Sequence, residues 1–494
     1  MVGVGGRSGG CHTCRRRRVK CDEVHPKCNR CAKAKIPCEG YDRDLKFVDE
    51  KARAQKRVQV KRQAYLESIQ AEQGKLKPSR RTIQLKTETQ VPPNLSLAGS
   101  ETTVRLTFMQ NQLFSGWRMF IPWTMCEYRG QDNCTTTQAV DALSSMYFGR
   151  MHGDVNSVNA GVNSYSKALP LLGRDLKDPK AFTLSTLTNV LSLVIYEMFA
   201  SSRGGMIQHL GGIQRLIEQC GPKRFQTRPS LDVFITARMG IMHHDMDVRR
   251  RCFLENPDWQ TIPWLKEPNM KDLHIQICDQ KCFIPGLLED MEALRTGLRA
   301  TPMDFQNLCA SVTMHLRNLY NWRAAWEAQY PNCAYLVPNT DPDLPFSTAI
   351  HYTEMKRAVE NCHYHTSLLA LYRMARILYG PTFSSTSITA DVPIIRTNPV
   401  LLLPSDSKTL QDIAHEFMRS IPYHLLEPHR HGGYFFLMFP LRSAFEVFRE
   451  GSLEWRYCVK LFNEMAEKGG FLLARRLMPS GLRGRLMSDE AINT

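Results

Sequence analysis

At 494 residues the chain is too long for one ordinary domain and predicts two or three folded units. Its 43% hydrophobic and 23% charged residues can bury a large core without external staples, so any metal would organise a local module and not the whole fold. The formal net charge of +16 sits mostly at one end, since residues 1–81 carry 22 Lys and Arg against 9 Asp and Glu, and the remaining 413 carry 42 against 39. A basic end on a nearly neutral body predicts that the N-terminus meets a polyanion, either nucleic acid or an anionic membrane.

Residues 1–10 are Gly-rich and lack an apolar segment, so they read as a flexible tail without a secretory signal. The chain is expected inside the cell, where thiols stay reduced and sixteen cysteines need metal or burial. Six of them form the pattern Cys11-x2-Cys14-x6-Cys21-x6-Cys28-x2-Cys31-x6-Cys38, two copies of C-x2-C-x6-C offset by 17. A disulfide framework would need an oxidising compartment. A single four-thiolate zinc site would leave the repeat unexplained. Two zinc ions need eight tetrahedral positions, so six thiolates suffice only if two are shared. The repeat singles out the leading cysteine of each half, Cys11 and Cys28, as the equivalent pair to share.

Residues 11–38 resemble the zinc binuclear cluster (Zn2Cys6) family of fungal transcription factors. The spacings carry the resemblance, as do the basic run from Arg15 to Lys20 and Pro26, two residues before Cys28. Two Zn²⁺ with six thiolates leave a net negative cluster, which residues 1–38 answer with ten Lys and Arg against Asp22 and Glu23. At the repeat offset Arg15, Arg16, Arg17, Arg18 and Lys20 align with Ala32, Lys33, Ala34, Lys35 and Pro37, so the first half is the more basic and the better DNA face. Val19 and Ile36 align and are expected to pack beside the metals. The resemblance implies that the helix after the first cysteine pair enters the major groove. Arg17 and Arg18 would approach base edges in CGG-type triplets, and Arg15 and Lys20 would grip phosphates. Many family members carry Lys where Arg18 stands.

Residues 41–103 read as a basic linker. The stretch 49–73 lacks Pro and Gly and could be helical. Its best heptad frame (Val58, Arg62, Tyr65, Ile69, Glu72, Leu76) has two charges among six seam positions, which argues for a solvated helix or tether over a coiled coil. A homodimer through this segment stays open as a partner reading. The basic stretches 51–62 and 75–81 suit nuclear import or extra phosphate contacts.

From residue 104 to 494 apolar residues recur at three- and four-residue spacing, over 139–151, 184–199, 206–220, 231–242, 312–326, 352–378 and 457–473. Strand-like alternation is scarce. The fold class is therefore mainly α: a small Zn2Cys6 module (11–40), the linker, and a large all-helical body. The apolar stretches 187–200 and 434–448 are short and interrupted by Glu197, Arg442 and Glu446, so no membrane partner is expected. The run Ile207-Gln208-His209-Leu210-Gly211-Gly212-Ile213-Gln214-Arg215-Leu216 with Gly221-Pro222, and Cys252-Phe253-Leu254 with Trp259 and Trp264, resemble the fungal-specific transcription factor domain. That resemblance implies a regulatory helical body.

Catalytic signals are weak. Cys278-x3-Cys282 lacks redox spacing, and His243-His244, His363-x-His365 and His429-x-His431 form no recognised helix-face pair with a carboxylate. No phosphate loop or nucleophile elbow occurs. The expectation is a non-enzymatic, zinc-dependent regulator of RNA polymerase II transcription in the nucleus. It would bind double-stranded DNA and co-regulators and control a metabolic or specialised-metabolite gene set. The rival readings are a zinc-stabilised nucleic-acid-binding interaction module and a ligand-binding or enzymatic body with a DNA anchor.

Overall fold

The fold comes from a computed structural model that describes residues 10–24, 26–40, 98–114, 134–177, 183–200, 203–298, 301–380, 392–406 and 409–478, with 383 and 388. The chain divides into two compact units, Met1–Pro92 and Pro93–Thr494. The helix expected over 49–73 and the basic stretches 51–62 and 75–81 lie outside the described residues.

In the smaller unit the described residues hold two five-residue helices, α1 (His12–Arg16) and α2 (Asn29–Lys33). The larger unit begins with α3 (Ala98–Gln112), followed by the hairpin of α4 (Thr135–His152) and α5 (Val155–Asp175). Gly153 ends α4 in the left-handed conformation at φ 65°. The Asp154 carboxylate then accepts the Asn156 and Ser157 amides at 3.0 and 3.2 Å to start α5. The two helices approach closely because a Cβ on Gly149 would stand 2.6 Å from the Val158 amide nitrogen.

Next comes α6 (Leu184–Ala200), buried without a break from Thr186 to Phe199, as a helix apolar all round must be. It packs against α4, α5 and α7 (Arg203–Cys220). The chain continues through α8 (Ser230–Val248), α9 (Pro257–Thr261), α10 (Leu273–Lys281) and α11 (Ile284–Arg295). A capping box opens α12 (Pro302–Gln329), with Thr301 Oγ1 accepting from the Asp304 amide at 3.1 Å and the Asp304 carboxylate accepting from the Thr301 amide at 3.3 Å.

The body is mainly helical with one departure. An antiparallel hairpin of β1 (Ala334–Pro338) and β2 (Thr348–Tyr352) pairs Ala334 with Tyr352 and Pro338 with Thr348. The helical period read over 352–378 therefore starts late, because Tyr352 closes the strand and α13 runs Met355–Tyr379. β2 packs on α14 (Leu410–His424), and α15 (Arg430–Phe445), α16 (Leu453–Glu467) and α17 (Leu473–Leu477) follow. The period read over 457–473 is likewise broken after Glu467, where Gly470 takes φ 74°.

One apolar cluster runs through the body, with charged groups buried where α12 meets α13. Arg323 and Glu327, both fully buried, pair at 2.7 Å, and Glu327 also accepts the Thr397 and Asn398 amides at 2.9 Å each. Arg357 pairs with Glu360 at 2.6 Å, and Trp326 Nε1 donates to the same carboxylate at 2.9 Å. Burial nevertheless pushes the Glu360 carboxyl up to about 7. Such groups survive in a core only with their partners in place.

Candidate metal centre and nucleic-acid interface

Each half of the smaller unit is built the same way. Cys11 caps α1 and its sulfur accepts the Cys14 amide at 3.4 Å; Cys28 caps α2 and accepts the Cys31 amide at 3.3 Å. A helix N-terminus favours negative charge, so the capping position suits a thiolate. Both helices stop at matched points. Arg18 (φ 55°) and Lys35 (φ 50°) are left-handed, and the Val19 and Ile36 amides donate back to the Cys14 and Cys31 carbonyls at 3.1 and 3.2 Å.

Cross-links between the halves obey the same repeat. Asp22 accepts the Arg30 amide at 3.1 Å, and its equivalent Glu39 donates its amide to Thr13 Oγ1 at 3.0 Å, Thr13 being the equivalent of Arg30. Thr13 Oγ1 donates onward to the Pro37 carbonyl at 3.1 Å. Sequence reasoning missed Thr13, Asp22 and Glu39 as tethers. The 17-residue offset that aligns the cysteines also pairs them.

The six cysteines converge. Cys11, Cys14, Cys28 and Cys31 are buried, and Cys21 and Cys38 are half-buried. Two sets of four sulfurs lie within 4.8 Å of one another: Cys11, Cys14, Cys21, Cys28, and Cys11, Cys28, Cys31, Cys38. Cys11 and Cys28 are common to both. Within these sets the Cys11–Cys28, Cys11–Cys31 and Cys14–Cys28 sulfurs are 3.6, 3.8 and 3.7 Å apart. A zinc–sulfur bond of ~2.3 Å gives a tetrahedral edge of about 3.8 Å, so the donor set fits zinc. Without metal, burial pushes the Cys11, Cys14 and Cys31 thiols up, Cys31 to about 12, whereas the Cys28 and Gly40 amides hold Cys38 down to about 7. Bound zinc supplies the positive charge that keeps the buried sulfurs as thiolates. Val19 and Ile36 pack against this cluster.

Around it Arg15, Arg16, Arg17, Arg18 and Lys20 are exposed. Arg16 pairs with Glu39 at 2.8 Å. Arg15, Arg17, Arg18 and Lys20 enter no ion pair among the described residues. Four such cations thus ring the end of α1, while the matched positions of the second half carry Ala32, Ala34, Lys35 and Pro37.

Comparison with known proteins agrees with this geometry. The fungal Zn(2)-Cys(6) binuclear cluster domain matches residues 9–46, and the fungal specific transcription factor domain matches residues 105–241. An uncharacterized protein of Emericella nidulans is 26% identical over 222 residues, covering 37% of this chain and 48% of its own length. Arginine metabolism regulation protein II of Saccharomyces cerevisiae is 58% identical over 38 residues, 8% of this chain and 4% of its own. Transcriptional regulatory protein moc3 of Schizosaccharomyces pombe is 62% identical over 32 residues, 6% of each chain. The chain thus spans about half of the first of these relatives and a small part of the others. No solved structure matches it. No helix among the described residues is long and apolar enough to cross a membrane.

Proposed function

From the premise that this chain is a Zn2Cys6 fungal transcription factor, a zinc-binding, DNA-binding regulator of transcription, we propose that its first half reads CGG-type triplets in the major groove. Cys11 and Cys28, common to both donor sets, would be shared between the two zinc ions, with Cys14 and Cys21 completing one set and Cys31 and Cys38 the other. Arg17 and Arg18 meet guanine edges, where a bidentate arginine contact is worth roughly 1–3 kcal/mol of discrimination. Arg15 and Lys20 hold the flanking phosphates. The observation that carries this reading is the asymmetry across a symmetric backbone: Arg15, Arg17, Arg18 and Lys20, exposed and in no ion pair among the described residues, have Ala32, Ala34, Lys35 and Pro37 as their equivalents, so three of the four charges are missing from the second half.

The helical body acts in the nucleus as the regulatory part and meets co-regulators of transcription. The arginine-metabolism regulator aligns with this chain over 38 residues, a span of the cluster's size. The relationship therefore supports a common way of holding DNA, and a metabolic gene set for this chain is the corresponding reading.

Competition between a CGG-containing duplex and a scrambled one, with the full chain at fixed salt, tests the proposal. Specific sites are typically bound 10³-fold or more tighter than non-specific DNA, so a preference of that order is expected. Equal binding of both duplexes would leave a polyanion-binding module in its place. Affinity that falls with salt decides nothing, since phosphate contacts give that in either case.

A further inference from the structure

The larger unit holds a second group of metal-donor side chains, apart from the six-cysteine cluster. His274 and Cys278 stand one helical turn apart on α10 and so share a face. His363 comes from α13. One ring nitrogen of each histidine and the Cys278 sulfur all lie within 4.8 Å of one another, and all three residues are buried. Nδ1 of His274 and Nδ1 of His363 have no hydrogen-bond partner. An unpaired buried polar atom is costly, and two histidines that each carry one beside a thiol call for a ligand. Met239 of α8 brings its thioether sulfur to 3.9 Å from Cys278 Sγ, nearly the spacing found among the six-cysteine sulfurs.

We infer that Cys278, His274, His363 and Met239 bind copper(I). A thiolate and a thioether are soft donors that favour this ion, and imidazole suits it too. Charge gives an independent argument. Lys281 is buried close by, with Nζ 3.5 Å from both His243 Nε2 and Thr366 Oγ1, and buried Arg238 is paired with Asp279. Copper(I) with one thiolate adds no net charge beside Lys281 and Arg238, whereas zinc with one thiolate would add a positive one. Binding replaces the Cys278 thiol proton, which leaves to solvent as the sulfur–copper bond forms. The donors come from three helices, so the ion pins α8, α10 and α13 at one point and couples metal supply to the stability of the regulatory body.

The test uses the zinc-loaded full chain, titrated anaerobically with copper(I) presented as its bicinchoninate complex. The expected result is one copper per chain with both zinc ions retained. Copper X-ray absorption should report mixed sulfur and nitrogen donors, and Cys278→Ser should weaken uptake by more than about 100-fold, the upper end for changes beyond the ligands themselves. Undiminished uptake by C278S overturns the site, as does no uptake by the wild type. Copper bound by sulfur alone with release of zinc assigns it to the six-cysteine cluster and also overturns the site. Should C278S fail to fold, the wild-type absorption spectrum still separates mixed from all-sulfur ligation.

Discussion

The sulfurs of Cys11 and Cys28 lie 3.6 Å apart, each at the cap of its own short helix. On the proposed sharing of ligands, these positions are unlike the other four. Cys28→Ser should take zinc from two ions per chain to less than one, while Cys38→Ser keeps at least one, as read by elemental analysis of purified chain. Equal losses in the two variants would refute sharing. Structural zinc contributes ~10–16 kcal/mol to folding in small zinc modules, so chelation should unfold the smaller unit.

Arg17 and Lys20 should fail differently. Arg17→Ala is expected to cost about 1–3 kcal/mol on a CGG duplex and little on a scrambled one. Lys20→Ala should weaken binding to both and lower the salt slope by about 1. Anisotropy titrations at several salt concentrations distinguish them, and a uniform loss from Arg17→Ala would move that arginine to the phosphates.

In the body, Glu327→Ala strands Arg323 in a fully buried site. Breaking such a pair from one side costs about 3–5 kcal/mol. Glu354, an exposed partner of Arg357, should cost ~0–1 kcal/mol when replaced by Ala. Urea midpoints of the two variants give the comparison, and similar values would mean that the Arg323 charge finds another partner.

Acid should destabilise the body earlier than carboxylate chemistry requires. Burial pulls His209, His274 and His315 down to about 4 and His424 to about 3. An unfolded histidine titrates near ~6.5, so between ~6.5 and the folded values the unfolded chain binds more protons. The stabilisation is complete above ~pH 6.5 and is lost as pH falls, at up to about 1.4 kcal/mol per pH unit for each histidine. Melting temperature should drop steeply below pH 6.5, and His315→Gln should make the fall shallower. A flat profile from neutral pH down to about 5 would contradict this.

Gly433 stands at a very close backbone approach in the body. A Cβ there would sit 2.0 Å from the His424 carbonyl oxygen, so α15 cannot pack on the end of α14 with any side chain at that position. Gly433→Ala should cost at least about 1–3 kcal/mol, measured by thermal melting, against no such loss at open Gly173.

The ligand set was legible because cysteine spacing along a short chain decides which sulfurs can meet. Long helices such as α6 and α12 were legible from apolar periodicity. The hairpin was not, since β1 alternates poorly and β2 is a strand mainly because it lies on α14. α5 carries an apolar stripe at Val155, Val158, Val162, Tyr165, Ala168 and Leu172, but Gly161, Pro170 and several Asn and Ser residues are poor helix formers and argued against a helix there. His274 and Cys278 already stood at one-turn spacing, yet nothing local joined them to His363, which only tertiary packing brings across.

The mirrored left-handed turns at Arg18 and Lys35 separate two jobs that one small module has to do. Holding metal depends on sulfurs and main-chain amides, which both halves supply alike; choosing a base sequence depends on side chains that point away from them. Residues along one helix can therefore be exchanged, and new promoters acquired, without touching the part that keeps the module folded.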